Sequence, residues 1–280
     1  MLSGTTIVSA GNPQASERRG ERTVSKNPGR KKSAALTKVQ GADRNRTILI
    51  QVAVAAVLIG LVAAIGVGIA IKKARRDDPG PTPEIAASKS TTELAASITD
   101  TGAIRLSKPG AKVTVRMIAD LQCPACKTFE GANSQVLEDT VKSGTSAIEY
   151  NIISFLDQAS GGTEYSSRAA NAAYVLAGTD PTKFQDWLAR MYAQQPPEGA
   201  TGLPDSTIIQ IAKDAGYNDA DITKDITDRK YDKFVKARTK DVFATGVKST
   251  PTVYINGKQL SGQAMAGGLG PAIQAAAGAQ

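Results

Sequence analysis

The chain has 280 residues, room for one or two domains, with no histidine and only two cysteines. The absence of histidine excludes Ser-His and Cys-His catalysis and histidine-ligated metals, and two cysteines are too few for a four-cysteine zinc site. We therefore expect neither a metal nor another cofactor.

Charge is distributed unevenly along the chain. Residues 1–76 contain 14 Lys/Arg and three acidic residues, a net charge of +11, whereas residues 77–280 contain 20 Lys/Arg and 23 acidic residues, a net charge of −3. A nucleic-acid-binding domain would carry its basic surface on the folded part. The acidic balance of the larger segment therefore argues against a nucleic-acid partner.

An apolar segment near the N-terminus predicts a transmembrane helix over 47–71 that would contact the lipid bilayer. Within it, Val52–Ile71 is 20 residues without a charged or polar side chain, about 30 Å as a helix, which matches the hydrocarbon thickness of a membrane. A cleaved signal peptide is the competing interpretation, but the apolar region of a signal peptide is usually only about 7–15 residues long. Here a polar stretch precedes the run and four basic residues follow at once, within 72–76.

The segment 1–46 has no aromatic residue and no hydrophobic periodicity, and predicts a disordered basic tail. It contains ten Lys/Arg against four in 72–76, which favours a cytoplasmic N-terminus, although those four lie nearer the bilayer. The tail either attracts anionic lipid or only helps to set the topology. Residues 72–101, rich in Pro, Ser, Thr and Ala, predict a linker that ends near Gly102.

The rest of the chain predicts a β-β-α-β segment, a helical block and a β-β-α segment. The predicted strands are 102–106, 113–120, 148–156, 252–255 and 258–260, the last two joined by an Asn256-Gly257 turn. The predicted helices begin at Cys123 and then cover 164–177, 181–193, 206–216, 220–227, 229–245 and 263–277. The β-α-β order predicts a parallel pair of strands around the first helix.

Both cysteines lie in Cys123-Pro124-Ala125-Cys126, directly after a strand and at the start of a helix. Residues three apart on a helix are neighbours, so the two sulfurs can form a disulfide. Unpaired N–H groups at a helix N-terminus favour a thiolate, and Pro124 fits the first turn. We predict that Cys123 is an exposed nucleophilic thiolate and Cys126 the resolving thiol, which attacks a mixed disulfide and releases the substrate.

Three other interpretations of the two cysteines remain open. A structural disulfide would close a loop of only four residues and remove little chain entropy. Half of a zinc site has no further cysteine or histidine to complete it. Inert thiols are the third alternative, and a redox-active pair is favoured over all of them.

This arrangement, with the late sequence Gly246-Val247-Lys248-Ser249-Thr250-Pro251-Thr252-Val253, resembles the DsbA-like thiol–disulfide oxidoreductases of the thioredoxin superfamily. The membrane-anchored forms of Gram-positive bacteria are the most similar. The resemblance covers about residues 102–280. It implies an α/β thioredoxin-like fold with an inserted α-helical domain at about 160–228, preceded by the transmembrane helix.

The resemblance also assigns roles to particular residues. It implies that Cys123 and Cys126 are the catalytic pair, supported by the Pro124 and Ala125 between them. It further implies that Thr250-Pro251 forms a cis-proline loop that faces the disulfide and binds the substrate main chain. From the residues alone, Pro251 could equally be a proline at the start of a strand.

Two departures from the family pattern affect the expected chemistry. A buried acid that often lies six residues before the first cysteine is replaced by Met117, while Asp120 is either a substitute for it or an ordinary turn residue. The histidine of the prototype motif is replaced by Ala125. We therefore predict a weaker oxidant than the prototype. The pKa of Cys123 should be higher than the ~3.5 of the reactive cysteine in DsbA itself.

These observations favour a single-pass membrane protein whose extracytoplasmic domain introduces disulfides into exported cysteine-containing proteins. The resemblance implies that a membrane quinone-linked partner reoxidises the cysteine pair. One alternative keeps the fold but acts as a reductase or isomerase. Another is a non-enzymatic, membrane-anchored thioredoxin-like binding module.

Overall fold

The computed structural model describes most of the chain, namely residues 39–85, 94–266 and 268–279. The chain divides into two compact units between Val67 and Gly68. The predicted disordered tail over 1–46 lies outside the described residues except at 39–46, which are helical.

The first element is a single long helix, α1 (Val39–Asp77). Within it, Arg46–Ala74 is long and apolar enough to cross a membrane, with a mean hydropathy of 2.8 and no buried residues in the most apolar window. A helix satisfies its main-chain hydrogen bonds internally, which a segment in hydrocarbon must do. The predicted transmembrane segment 47–71 lies inside this helix, which extends beyond it at both ends.

A six-stranded sheet forms the centre of the second unit. Its strands are β1 (Ala95–Ile98), β2 (Ile104–Ser107), β3 (Val113–Ala119), β4 (Ser146–Ile152), β5 (Thr252–Ile255) and β6 (Lys258–Gln259). Their spatial order is β1-β2-β4-β3-β5-β6; β3 and β4 are parallel, as predicted, and every other pair is antiparallel. Because β3 and β5 are antiparallel neighbours, the residues that follow β3 lie beside those that precede β5.

Helix α2 (Pro124–Lys142) connects β3 to β4. Its buried face includes Cys126, Phe129, Leu137 and Val141, as the helical spacing predicts, whereas Val136 is only partly buried. The helix therefore turns Cys126 toward the core.

The helical block contains five α-helices and covers the predicted insertion at about 160–228. They are α3 (Tyr165–Thr179), α4 (Phe184–Ala193), α5 (Asp205–Asp214), α6 (Ala220–Thr227) and α7 (Asp232–Ala244). Helix α3 is buried on all sides over its first 13 residues, which places it at the centre of the block. Trp187 of α4 is completely buried in the same core.

Several predicted boundaries differ from the structure. The predicted linker 72–101 contains strand β1. This strand is short and rich in Ser and Ala, so its local composition does not indicate that it pairs with β2. The predicted strand 148–156 ends at Ile152, where the main chain turns and Ser154 bonds to a helix instead of a strand. The predicted helix 229–245 begins only at Asp232, because Arg229 has a left-handed φ of 52°.

The predicted helix 263–277 is two helices, α8 (Gly262–Ala266) and α9 (Leu269–Gly278). Gly268 has a φ of 82°, which a right-handed helix cannot contain. The N–H of Leu269 instead donates to Asn133 Oδ1 at 2.9 Å. A tertiary contact with α2 therefore sets this break.

Candidate active site

The two cysteines lie at the N-terminal end of α2. Cys123 is the residue before the helix and Pro124 occupies its first turn. Both cysteines are free thiols. Cys123 is 8% exposed and Cys126 1% exposed. The predicted exposure of Cys123 is therefore wrong: its side chain is largely covered, although less than that of Cys126.

The surroundings of Cys123 favour its thiolate. A hydrogen bond from the Cys126 side chain lowers the pKa of Cys123 to about 5, assisted by the Thr250 side chain and by the main-chain N–H groups of Cys126 and Ala125, while burial acts in the opposite direction. These N–H groups are the unpaired donors of the first helical turn. This pKa is higher than the ~3.5 of DsbA itself, as expected; that Ala125 causes the difference stays a prediction.

The surroundings of Cys126 instead favour its protonated thiol. Burial raises its pKa well above the usual range, and the neighbouring Cys123 sulfur raises it further, whereas the main chain of Asp120 and the side chain of Thr250 lower it. The two sulfurs therefore differ strongly in acidity, and Cys123 is the one ionised at neutral pH.

The Thr250-Pro251 loop lies against the cysteine pair. Its peptide bond is cis, and Cys123 Sγ lies 3.4 Å from the carbonyl oxygen of Thr250, to which the protonated thiol donates. The sheet explains this proximity, because Ile118 near the end of β3 pairs with Thr252 at the start of β5. The hydroxyl of Thr252 donates to the carbonyl of Ser249 at 2.7 Å and holds the loop.

The helical block also contacts the turn that carries Cys123. Gln195 Nε2 donates to the carbonyl oxygens of Leu121 and Cys123, both at 3.0 Å. Gln122 Nε2 donates to the carbonyl of Ala159 at 3.0 Å. The sequence analysis did not identify Gln195, since a lone glutamine after a helix belongs to no motif.

Two buried carboxyl groups lie near the sulfurs, and neither is at the family position. That position, Met117, is 2% exposed within the apolar core. Asp120 is completely buried and fully hydrogen-bonded. Glu130 of α2, also missed, is 3% exposed, and burial raises its pKa to about 7. Its position four residues after Cys126, on the apolar face of the helix, is the signal that could have identified it.

Glu130 adjoins a cavity of about 200 Å³ between α2 and α4, which Tyr192 and Lys127 also line. Within the part of the chain that the structure describes, Glu130 Oε2 has no hydrogen-bond partner. In the same residues, no three His, Cys, Asp or Glu side chains are grouped closely enough to bind a metal ion.

A family model described as thioredoxin matches residues 99–275, and the chain belongs to the thioredoxin family. Among solved structures, a disulfide bond oxidoreductase (DsbG) from Mycobacterium tuberculosis is 29% identical, with a TM-score of 0.52 over 65% of this chain and 95% of that one. Reduced DsbA from the same organism is 30% identical, with a TM-score of 0.51 over 63% and 98%.

Two further comparisons support less: one shows only the fold, and the other covers only part of the chain. The thiol-disulfide oxidoreductase MdbA from Corynebacterium diphtheriae is 21% identical, with a TM-score of 0.54 over 68% of this chain and 96% of that one, and shares the fold. A 110-residue stretch is 27% identical to the serine/threonine-protein kinase PknE of Mycobacterium tuberculosis, 38% of this chain and 19% of that protein. The chain thus spans about a fifth of the length of the curated relatives it matches.

Fold, family and relatives together define the class of protein. The chain is a DsbA-like member of the thioredoxin family, a class of enzymes that exchange thiols and disulfides.

Proposed function

We propose that this protein is a membrane-anchored oxidase that introduces disulfides into exported proteins through Cys123 and Cys126. The observation that carries the proposal is the difference between the two sulfurs: the pKa of Cys123 is lowered to about 5, and that of Cys126 is raised. A stabilised thiolate favours the reduced pair, which makes the corresponding disulfide a better oxidant.

The reaction begins with the Cys123–Cys126 disulfide. A substrate thiolate attacks Cys123 Sγ, the bond between the two cysteines breaks, and Cys126 leaves as a thiolate that takes up a proton. A second substrate thiolate then attacks the substrate sulfur of the mixed disulfide and expels Cys123 as a stable thiolate. The substrate loses two electrons and gains a disulfide, and the cysteine pair becomes a dithiol.

The Thr250-Pro251 loop is the proposed substrate-binding element. The Thr250 carbonyl lies 3.4 Å from Cys123 Sγ, so a substrate cysteine bonded to Cys123 would place its own main chain beside the loop. Main-chain contacts of this kind do not depend on side-chain identity. A substrate range set by accessible cysteines, rather than by sequence, follows.

The proposed topology places residues 47–71 in the membrane, the basic N-terminus in the cytoplasm and the cysteine pair outside it. The apolar span Arg46–Ala74 and the ten basic residues before the predicted segment support this arrangement. An oxidising pair also suits an extracytoplasmic location, since cytoplasmic thiols are kept reduced. Each turnover leaves a dithiol, so the proposal includes a membrane quinone-linked partner that restores the disulfide.

The reduction potential tests the direction of the reaction. The full chain in detergent is equilibrated with glutathione buffers, and the fraction of the Cys123–Cys126 disulfide is measured by alkylation and mass spectrometry. We expect a value between the ~−120 mV of DsbA and the ~−180 mV of protein disulfide isomerase. A value near the ~−270 mV of thioredoxin would instead favour the reductase.

A further inference from the structure

Asp120 directly follows β3 and is completely buried. Its carboxylate accepts three hydrogen bonds: Oδ1 from the N–H of Gln122 at 2.8 Å and the hydroxyl of Ser166 at 2.7 Å, and Oδ2 from the N–H of Leu156 at 2.8 Å. The donors belong to three segments: the turn before the cysteines, the main chain after β4, and the first turn of α3. One carboxylate therefore joins the sheet to the helical block.

This bonding argues against a proton-transfer role for Asp120. Both oxygens are occupied by donors, and all three contacts require an acceptor. Burial raises the pKa of Asp120 to about 6, but the three hydrogen bonds act in the opposite direction. Of the two buried carboxyl groups near the sulfurs, Glu130 is the one with an oxygen that has no hydrogen-bond partner among the described residues. Asp120 is thus built to hold its surroundings in place.

The main chain of Asp120 is connected to Cys123 and to the helical block. Its carbonyl accepts from the N–H of Cys123 at 3.1 Å and from the hydroxyl of Tyr192 at 3.5 Å. The backbone of Asp120 is also one of the groups that lower the pKa of Cys126. Any displacement of Asp120 consequently moves the acceptor that holds the main chain of Cys123.

We propose that Asp120 is a positioning residue of the redox site, whose carboxylate ties the cysteine-bearing turn to the helical block and keeps Cys123 aligned with Cys126. The inference rests on the proposed exchange reaction and assigns the helical block a part in it. Attack of Cys126 on Cys123 requires this alignment, because the protein holds both groups. Attack of Cys123 on an external disulfide requires it less, because that reagent can adjust its own position.

Oxidation by glutathione disulfide separates the two events. In the first step, the Cys123 thiolate attacks glutathione disulfide, forms a mixed disulfide and releases one glutathione thiolate. In the second, the Cys126 thiolate attacks Cys123 Sγ, closes the Cys123–Cys126 disulfide and releases the other. Acid quenching and mass spectrometry of the full chain in detergent follow both steps. Failure of the wild-type protein to form either species would reject the proposed function itself.

The test variant is Asp120→Asn. Its side-chain NH₂ group must face the N–H of either Leu156 or Gln122, and two donors cannot form a hydrogen bond. The matched control is Asp180→Asn, since Asp180 accepts the N–H of Thr182 at 3.0 Å but does not contact the turn. We expect Asp120→Asn to slow the second step about tenfold relative to the first, as for loss of one buried charge-assisted hydrogen bond. The control is expected to leave both rates unchanged.

A folded Asp120→Asn protein with an unchanged ratio of the two rates would overturn the proposal. If this variant does not fold, Ser166→Ala decides instead, because it keeps the carboxylate and removes one donor. Selective slowing of the second step in Ser166→Ala supports the positioning role. Equal rates in that variant and the wild type reject it.

Discussion

Cys123 and Thr250 are 127 residues apart in the chain, yet Cys123 Sγ lies 3.4 Å from the Thr250 carbonyl oxygen. The antiparallel pairing of β3 with β5 brings them together. The loop thereby contributes both a nearby main-chain acceptor and a side chain that lowers the pKa of each sulfur. The site therefore combines a helix terminus with a loop that is distant in the sequence.

The roles of the two sulfurs can be separated by trapping. We expect Cys126→Ala to accumulate mixed disulfides with cysteine-containing proteins, because the second thiol, which would release the substrate, is absent. Cys123→Ser should form none. Non-reducing gels of cells that produce each variant measure this. A Cys126→Ala protein that forms no adducts, with Cys123→Ser fully functional in cells, would favour the non-enzymatic binding module.

The rate of Cys123 alkylation should depend on pH through its lowered pKa. The thiolate reacts and the thiol does not, so the rate should rise with pH and level off above a midpoint near pH 5. Thr250→Val removes a side-chain hydrogen bond to the sulfur and should move the midpoint upward. Thr179→Val, which loses only a bond to the Val175 carbonyl, is the control and should keep the wild-type midpoint. The measurement is the rate of iodoacetamide labelling as a function of pH. Equal midpoints in the two variants would contradict the prediction.

Glu130 should make the folded protein less stable at high pH. Burial raises its pKa from 4.5 to about 7, so the folded state binds the proton more tightly than the unfolded chain. Stability therefore falls as pH rises from 4.5 to about 7 and is then constant, a loss of about 3 kcal/mol. Glu130→Gln should remove this loss and be the more stable protein at pH 8, but not at pH 4.

Urea unfolding of the reduced fragment 77–280 at those two pH values checks the Glu130 prediction. Glu138→Gln is the matched control, because Glu138 lies on the same helix but pairs with Lys142 at the surface. Its effect should be small and similar at both pH values. The difference in unfolding free energy between the wild type and Glu130→Gln should therefore change between pH 4 and pH 8. The same difference at both pH values would contradict the prediction and show that the Glu130 carboxylate has a stabilising partner.

Gln195 should contribute stability through its two acceptors. Gln195→Leu leaves the Leu121 carbonyl without its side-chain donor near the cysteine turn, and we expect a loss of about 1–3 kcal/mol in the free energy of unfolding. Gln210→Leu removes an exposed contact with Asp214 and should cost much less. Equal losses in urea unfolding would mean that the Gln195 contacts carry no special weight.

Much of the molecule could be predicted from local sequence, because the signals concerned are short-range. An apolar run long enough to cross a membrane, alternation in β3 and helical spacing after Cys123 each depend on neighbours within a few residues. The lowered pKa of Cys123 belongs to this group in part, since Cys126 and the main-chain N–H groups of the helix terminus lie within a few residues of it.

Other features depended on contacts between distant segments. Strand β1 forms because β2 offers a partner, and the break at Gly268 follows from the Asn133 side chain. The covering of Cys123, the burial of Glu130 and the three donors of Asp120 come from segments packed over α2 and the cysteine turn. Local sequence predicted which sulfur atoms would react. How far their pKa values shift, and which groups support them, depends on the fold, because burial and hydrogen bonding depend on what it places around each group.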